Sequence, residues 1–337
     1  MQWARGQKIV LNRPIWRVLL TLCLVTCFSA ASIASQSKSC RDYSYSESIG
    51  EQQLWVDFSY LASNQLEGRK TRSHGAQLTR DYLAQRYSAI GLLPLNGKTD
   101  FELTFTYQRG FSDFSGVNMA GYITGKTYPE HYIVVTAHYD HLGKKGNRVY
   151  NGADDNASGV AALLSIASYA ATHGTQTSII FLATDAEEQG LYGAKGFVKS
   201  PPVQLKAIKA NLNLDMLSQN RGKNRLYVTG AKYFPELKPI VAKAIDKAGL
   251  CLVAGHRSLQ RGSIVSSRTN WRQASDHAAF ANVNIPYLFL GVSEHPYYHT
   301  VNDTVERINP KFYFAAVDTS LNVFLLMDQM TFDSADK

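Results

Sequence analysis

A chain of 337 residues with 45% apolar and 18% charged side chains has material for one large core, and its ordinary composition excludes wholesale disorder. The formal net charge of +8 says little about partners, because Arg5, Lys8, Arg13 and Arg17 belong to a distinct leader. Arg257, Arg261, Arg268 and Arg272 have no interleaved stacking aromatics beyond Trp271, so they read as a solvated loop and no nucleic-acid partner is expected.

The leader pairs those four basic residues with the run VLLTLCLVTCFSAASIA, contains no acidic residue, and offers Ser32-Ile33-Ala34 as a small-residue cleavage site. A signal peptide over 1–34 and a single domain over 35–337 are expected. The protein would then be exported, periplasmic or extracellular, without stable membrane association after cleavage. Two rivals are an uncleaved anchor, for which the Ser- and Thr-diluted run is marginally short, and a lipoprotein signal ending at Cys27, for which Thr26 is an awkward predecessor. Cys23 and Cys27 fall in the leader. Whether the remaining Cys40 and Cys251 pair is left open, and neither sits in a CxxC spacing, so no structural zinc site is indicated.

In chain order, Glu51 to Asn64 and Gly75 to Ile90 space apolar residues as amphipathic helices, with Gly91 as a stop signal. Between them, LEGRKTRSHG reads as a polar connector whose Arg and Lys face water. FELTFTYQ, VNMAGYITG, HYIVVTA, TSIIFLAT, IKANLNLD, RLYVTG and IPYLFLG read as strands. Helices are expected over Ala157 to Thr172, Leu191 to Val198, Pro235 to Ala248 and Pro310 to Met330. Continuous apolar strands separated by helices imply an α/β fold with a mixed, mainly parallel central sheet covered by helices on both faces. His256 to Arg272 is long and patternless, which suits a loop shaping a pocket.

Ligands of such sheets gather beyond the carboxyl ends of the strands. His138 follows IVVTA, the acids Asp185 to Glu188 follow IIFLAT, Asp215 ends ANLNL, and the segment reaching His299 follows YLFLG. Together with Asp154 these give two imidazoles and several carboxylates, a donor set suited to a pair of zinc ions and to hydrolysis by metal-activated water. Asp154 or Asp155 could equally be a helix N-cap, and Asp185 and Glu187 turn acids.

The motifs AHYDH, NGADDNASG, ATDAEEQGLYG, NLDM and YHT, in that order, resemble the exported di-zinc aminopeptidases of metallopeptidase family 28 over about residues 50 to 330. The resemblance implies the zinc-dependent exopeptidase fold without an inserted accessory domain between 90 and 130, and peptide substrates with a free N-terminus. It implies that His138 and Asp215 hold one zinc, Glu188 and His299 the other, and that Asp154 bridges them with a cis peptide to Asp155. It implies Glu187 as general base, Asp140 as the group that hydrogen-bonds the His138 imidazole, and Tyr298 as a donor to the tetrahedral intermediate, whose rival role is packing beside Tyr297. Ser275-Asp276-His277 resembles a segment near the substrate cleft, which makes Asp276 a candidate for holding the substrate amine; it could equally cap the following helix. His141 and His277 read as structural groups, and His256 and His295 as surface residues. Glutaminyl cyclase-like and carboxypeptidase-like chemistry on the same fold, and a catalytically silent binding module, remain alternatives.

Overall fold

The computed structural model describes residues 40–220, 224–255 and 270–332. The leader, His256 and the arginines 257, 261 and 268 lie outside the described residues. Helix α1 (Glu51–Leu61) buries Leu54, Asp57, Phe58 and Leu61, positions spaced three and four apart. It stops short of the expected Asn64, where the chain tightens into a 3-10 turn, Asn64–Leu66. Helix α2 (His74–Ile90) starts at Ser73, whose hydroxyl accepts from the Ala76 amide, and ends at Gly91 in the left-handed conformation at φ 86°.

The strands are β1 (Leu93–Pro94), β2 (Glu102–Arg109), β3 (Ser112–Ile123), β4 (Tyr128–His138), β5 (Gly143–Lys145), β6 (Arg148–Tyr150), β7 (Thr177–Thr184), β8 (Ile208–Leu214), β9 (Arg225–Thr229), β10 (Cys251–Ala254) and β11 (Tyr287–Gly291). Nine of them form one sheet in the order β1-β3-β7-β4-β8-β11-β9-β10, with β2 also paired to β3. The centre, β7-β4-β8-β11, is parallel, while β3 meets β7 and β9 meets β11 antiparallel. The mixed, mainly parallel sheet expected from the apolar runs is therefore present. β5 and β6 form a separate ribbon, and these and β10 were not legible as strands because each is short and polar or half exposed.

Alternation along the central strands divides the core. Ile133, Val135, Ile179 and Phe181 face one apolar layer, which includes residues of α1, α2, α3 (Gly159–His173) and α7 (Pro310–Asp328). Val134, Ile180 and Leu182 face a second layer against α4 (Tyr192–Lys199) and α6 (His277–Asn282). Helix α5 (Lys238–Lys247) packs on α7. With every residue of β7 buried on both sides, a truncation such as Phe181→Ala would cost about 3–5 kcal/mol. A disulfide joins Cys40 to Cys251. Among the described residues no helix is long and apolar enough to cross a membrane.

Candidate metal centre

Because β4 and β8 are adjacent and parallel, the last residue of β4, His138, and the residue after β8, Asp215, reach the same rim. His138 Nε2 lies 3.4 Å from Asp215 Oδ1 and 3.3 Å from Asp155 Oδ1. The other oxygen of Asp155, Oδ2, lies 3.0 Å from His299 Nε2, which in turn is 3.1 Å from Glu188 Oε2. One buried carboxylate thus faces two donor pairs, His138 with Asp215 and His299 with Glu188.

That carboxylate is Asp155, which corrects the expectation for Asp154. The Asp154 side chain turns away: Oδ1 accepts from the Ser218 and Gln219 amides and the Ser218 hydroxyl, and Oδ2 is 3.1 Å from His295 Nε2. In NGADDNASG two adjacent aspartates satisfy the same motif, and only the backbone path, with Gly152 left-handed at φ 57° and Asp155 extended at φ −107°, decides which one points inward. The cis peptide lies one residue later than expected, between Asp155 and Asn156. His295, expected on the surface, is buried on Asp154. Asp303, which drew no attention in the sequence, accepts from the Asp154 and Asp155 amides at 3.0 and 3.1 Å and so anchors this turn from the far side.

Glu187 and Glu188 follow β7 through Ala186, held left-handed at φ 56°. Glu187 sits within reach of a common point with His138 and Asp215, whereas Glu188 is grouped with Asp155 and His141. His141 Nδ1 is 2.8 Å from Glu188 Oε1 and leaves Oε2 to His299, in keeping with a supporting role. Asp140 is a correction: His138 Nδ1 meets the main-chain oxygen of Asp140 at 3.1 Å, while its carboxylate is 3.8 Å away. That carboxylate instead accepts from the Glu187 amide at 3.0 Å and from Thr71, so it fixes the loop carrying Glu187. Asp185 is a loop-shaping acid that accepts from the Val117 and Ala186 amides.

Tyr298 lines the cleft and stacks on the His299 ring at 3.8 Å. Asp276, expected as a candidate for holding the substrate amine, is instead fully buried under the cleft, bonded to the Thr184 hydroxyl, and does not line the opening. It caps no amide with its side chain either. His277 is buried against Phe289 and Tyr287, as expected of a structural group.

The electrostatics are those of a site built around positive charge. Burial alone would lower the His138 and His299 imidazoles, yet Asp215 and Glu187 hold the first well above its usual range, and Asp155 and Glu188 hold the second at about 10. Burial would lift Asp155, but the facing His138 and His299 imidazoles hold it well below the carboxylate range. Burial lifts the Glu187 carboxyl well above that range, with His138 acting in the opposite direction. Burial and the surrounding carboxylates likewise raise the Tyr298 phenol, which keeps its proton. Asp155 Oδ2, Asp215 Oδ1, His141 Nε2 and His299 Nε2 are buried here without a hydrogen-bond partner. Buried polar atoms are rarely orphaned, and four at one point with nitrogen and oxygen donors of this kind fit divalent cations such as zinc.

The opening above the donors is a small cleft of about 50 Å³ whose apolar wall is Met216, Trp271, Ala274, Phe289 and Val292, with Glu294 at the exposed rim. Of these wall residues, Met216 follows Asp215 just beyond β8 and Val292 directly follows β11, a signal that strand-end reasoning could have used. A larger groove of about 740 Å³ beside Lys232 and Tyr233 has no donor residue in its lining, so its size gives it no claim on the chemistry.

The sequence model described as peptidase family M28 matches residues 118–324, more than half of the chain. The chain belongs to peptidase family M28. Within curated relatives, it is 30% identical over 214 residues to the aminopeptidase YwaD of Bacillus subtilis, covering 60% of this chain and 42% of the relative. It is 25% identical over 267 residues to a vacuolar membrane protease of Schizosaccharomyces pombe, covering 77% and 29%. The chain thus spans less than half the length of these M28 relatives. The fold is shared with LapA of Legionella pneumophila (TM-score 0.64, 19% identity, 84% of this chain and 75% of that one). It is shared equally with BSAP, a zinc aminopeptidase of Bacillus subtilis (TM-score 0.62, 18% identity, 81% and 94%). The zinc-dependent exopeptidase fold expected from the motifs is therefore the fold of this M28 chain.

Proposed function

We propose that this M28 member is an exported di-zinc aminopeptidase that removes N-terminal residues from peptides. The observation that carries the proposal is Asp155, one carboxylate whose two oxygens face two separate imidazole–carboxylate pairs. In this reading His138 and Asp215 hold one zinc, His299 and Glu188 the second, and Asp155 both. Bound there, the two ions would lower the pKa of water and stabilise negative charge developing on the scissile carbonyl oxygen. Glu187, its amide pinned by Asp140 and its carboxyl raised by burial, takes the proton of the attacking water and returns it to the leaving amine. Tyr298, kept protonated, donates to the oxygen on which charge develops. The carboxylates lining the cleft, Asp155, Glu187, Asp215 and Glu294, favour the α-ammonium group of a free N-terminus, and the apolar wall favours an aliphatic or aromatic first residue. The Cys40–Cys251 disulfide supports export into an oxidising compartment, with the signal peptide ending near Ala34.

The test combines metal analysis with a substrate panel. Purified protein is expected to carry about two zinc ions and to lose activity on chelation. A leucyl peptide should be cleaved faster than an aspartyl or lysyl one, and N-acetylation should nearly abolish kcat/KM, because it removes the ammonium charge. Loss on C-terminal amidation alone would establish a carboxypeptidase instead, and ammonia release from an N-terminal glutamine peptide without cleavage a cyclase. Two bound metals with no turnover of any peptide would establish a binding module.

A further inference from the structure

The connector LEGRKTRSHG reads as solvated, and while Lys70 and Arg72 are exposed, the first of its two arginines is the opposite. Arg69 has no exposed surface and heads the largest fully buried side chains among the described residues. Burying a guanidinium is costly unless its donors are satisfied, and the usual partner is a carboxylate. Here all four of its side-chain hydrogen bonds go to main-chain carbonyls: Nε to Tyr139 at 2.8 Å, Nη1 to Leu61 and to Asn151 at 2.6 Å, and Nη2 to Gly152 at 2.9 Å.

The positions of those carbonyls matter. Tyr139 stands between His138 and Asp140, and Gly152 stands three residues before Asp155, so one planar cation ties the loop of one donor to the loop of the shared donor. The connector is laced to the same loops by its backbone, with the His141 amide on the Arg69 oxygen at 3.4 Å and the Gly143 amide on the Gly68 oxygen at 2.9 Å. Thr71 adds a bond to Asp140. A Cβ on Gly68 would stand 2.3 Å from the Tyr150 oxygen, and Gly68 is left-handed at φ 70°, so the approach requires glycine. Burial pulls the guanidinium down to about 10 against the pull of Asp155, Asp303, Asp140 and Glu188, so it remains charged at neutral pH.

We infer that Arg69 is a positioning residue that fixes the separation of the His138 turn from the Asp155 turn, so that the metal-binding centre is preorganised before any cation arrives. The planar fork is what permits this: it offers five fixed donors and no acceptor, and a lysine ammonium in its place could not span carbonyls lying on several sides. The inference rests on reading the site as a metal centre.

The experiment measures zinc affinity by chelator competition in wild type, Arg69→Lys and Arg69→Met, with thermal unfolding of the metal-free and loaded forms. Affinity should fall roughly ten- to a hundredfold in both variants, the range for losing a group that orients ligands, with Lys recovering at most part of it. Parallel loss of thermal stability in both forms at unchanged affinity would overturn the inference, as would equally tight binding by all three proteins. If neither variant folds, hydrogen exchange on metal-free wild type decides: the amides of His141, Gly143, Asp154 and Asp155 should be as protected as in the loaded protein. Free exchange there until zinc is added would overturn it. Wild type that binds no zinc would sink the metal-centre reading instead, and so the two failures are distinguishable.

Discussion

At Asp154 and Asp155, two chemically identical neighbours have opposite surroundings, and the difference can be measured. Asp155 faces His138 and His299, so Asp155→Asn should remove the charge shared by both donor pairs and reduce zinc content from two ions towards none. Asp154→Asn replaces an acceptor bound by the Ser218 and Gln219 amides, and should cost about 1–3 kcal/mol of stability while leaving both ions in place at ordinary zinc concentrations. Elemental analysis of the two variants checks the assignment, and reversed phenotypes would restore Asp154 as the bridge. Glu187 and Glu188 divide in the same way. Glu187→Gln should keep both ions and lower kcat by roughly 10² to 10⁴, the range for a lost general base. Glu188→Gln should weaken one ion, since Oε2 is within 3.1 Å of His299. Steady-state kinetics with metal quantification on both variants separates the roles, and undiminished turnover in Glu187→Gln would remove it from the mechanism.

Among the elements, α6 carries a pH dependence that is independent of the donors. His277 is buried at its start, Nε2 is 2.9 Å from the Trp271 carbonyl oxygen, and Nδ1 has no partner, which requires the neutral ring with its proton on Nε2. Burial lowers its pKa to about 4, below the unfolded value of about 6.5. The unfolded chain therefore takes up the proton first as pH falls. The stabilisation is fully present above about pH 6.5 and is lost between there and pH 4, at up to about 1.4 kcal/mol per unit. Urea unfolding of wild type and His277→Phe at pH 7.5, 6 and 5 should show the stability gap between them shifting in favour of the variant as pH falls. A gap constant with pH would mean that the ring binds its proton equally well in the folded and the unfolded chain.

The whole molecule is tied across its length by Cys40–Cys251, which closes a loop of 211 residues in sequence separation and anchors the first described residues to β10. Next to it the Ser44 amide bonds the Gly249 oxygen at 2.9 Å. Removing such a cross-link should destabilise the fold by about 2–5 kcal/mol, chiefly by freeing the unfolded chain. Because β10 lies three strands away from β8 in the sheet, the double variant Cys40→Ala with Cys251→Ala should keep its zinc affinity while its thermal midpoint falls. Thermal scans with and without reductant check the first half and metal quantification the second.

The sequence by itself determined the sheet and the rim. Uninterrupted apolar runs such as TSIIFLAT have one low-energy solution, burial on both faces, and polar residues directly after such runs must emerge at the strand ends. His138 and Asp215 were legible for that reason, whereas Glu188 and His299, further beyond their strands, were legible through the motifs ATDAEEQGLYG and YHT. What tertiary structure alone decided were orientations and long-range partners. Which of Asp154 and Asp155 points inward depends on one turn of backbone, and whether the Asp140 carboxylate meets an imidazole or the Glu187 amide depends on a loop 47 residues away. Asp276 sealed below the cleft, His295 buried on Asp154, and Arg69 buried among four carbonyls share one cause. Polarity along a sequence marks a need for partners, and water and distant backbone satisfy that need equally well until the fold brings one of them near.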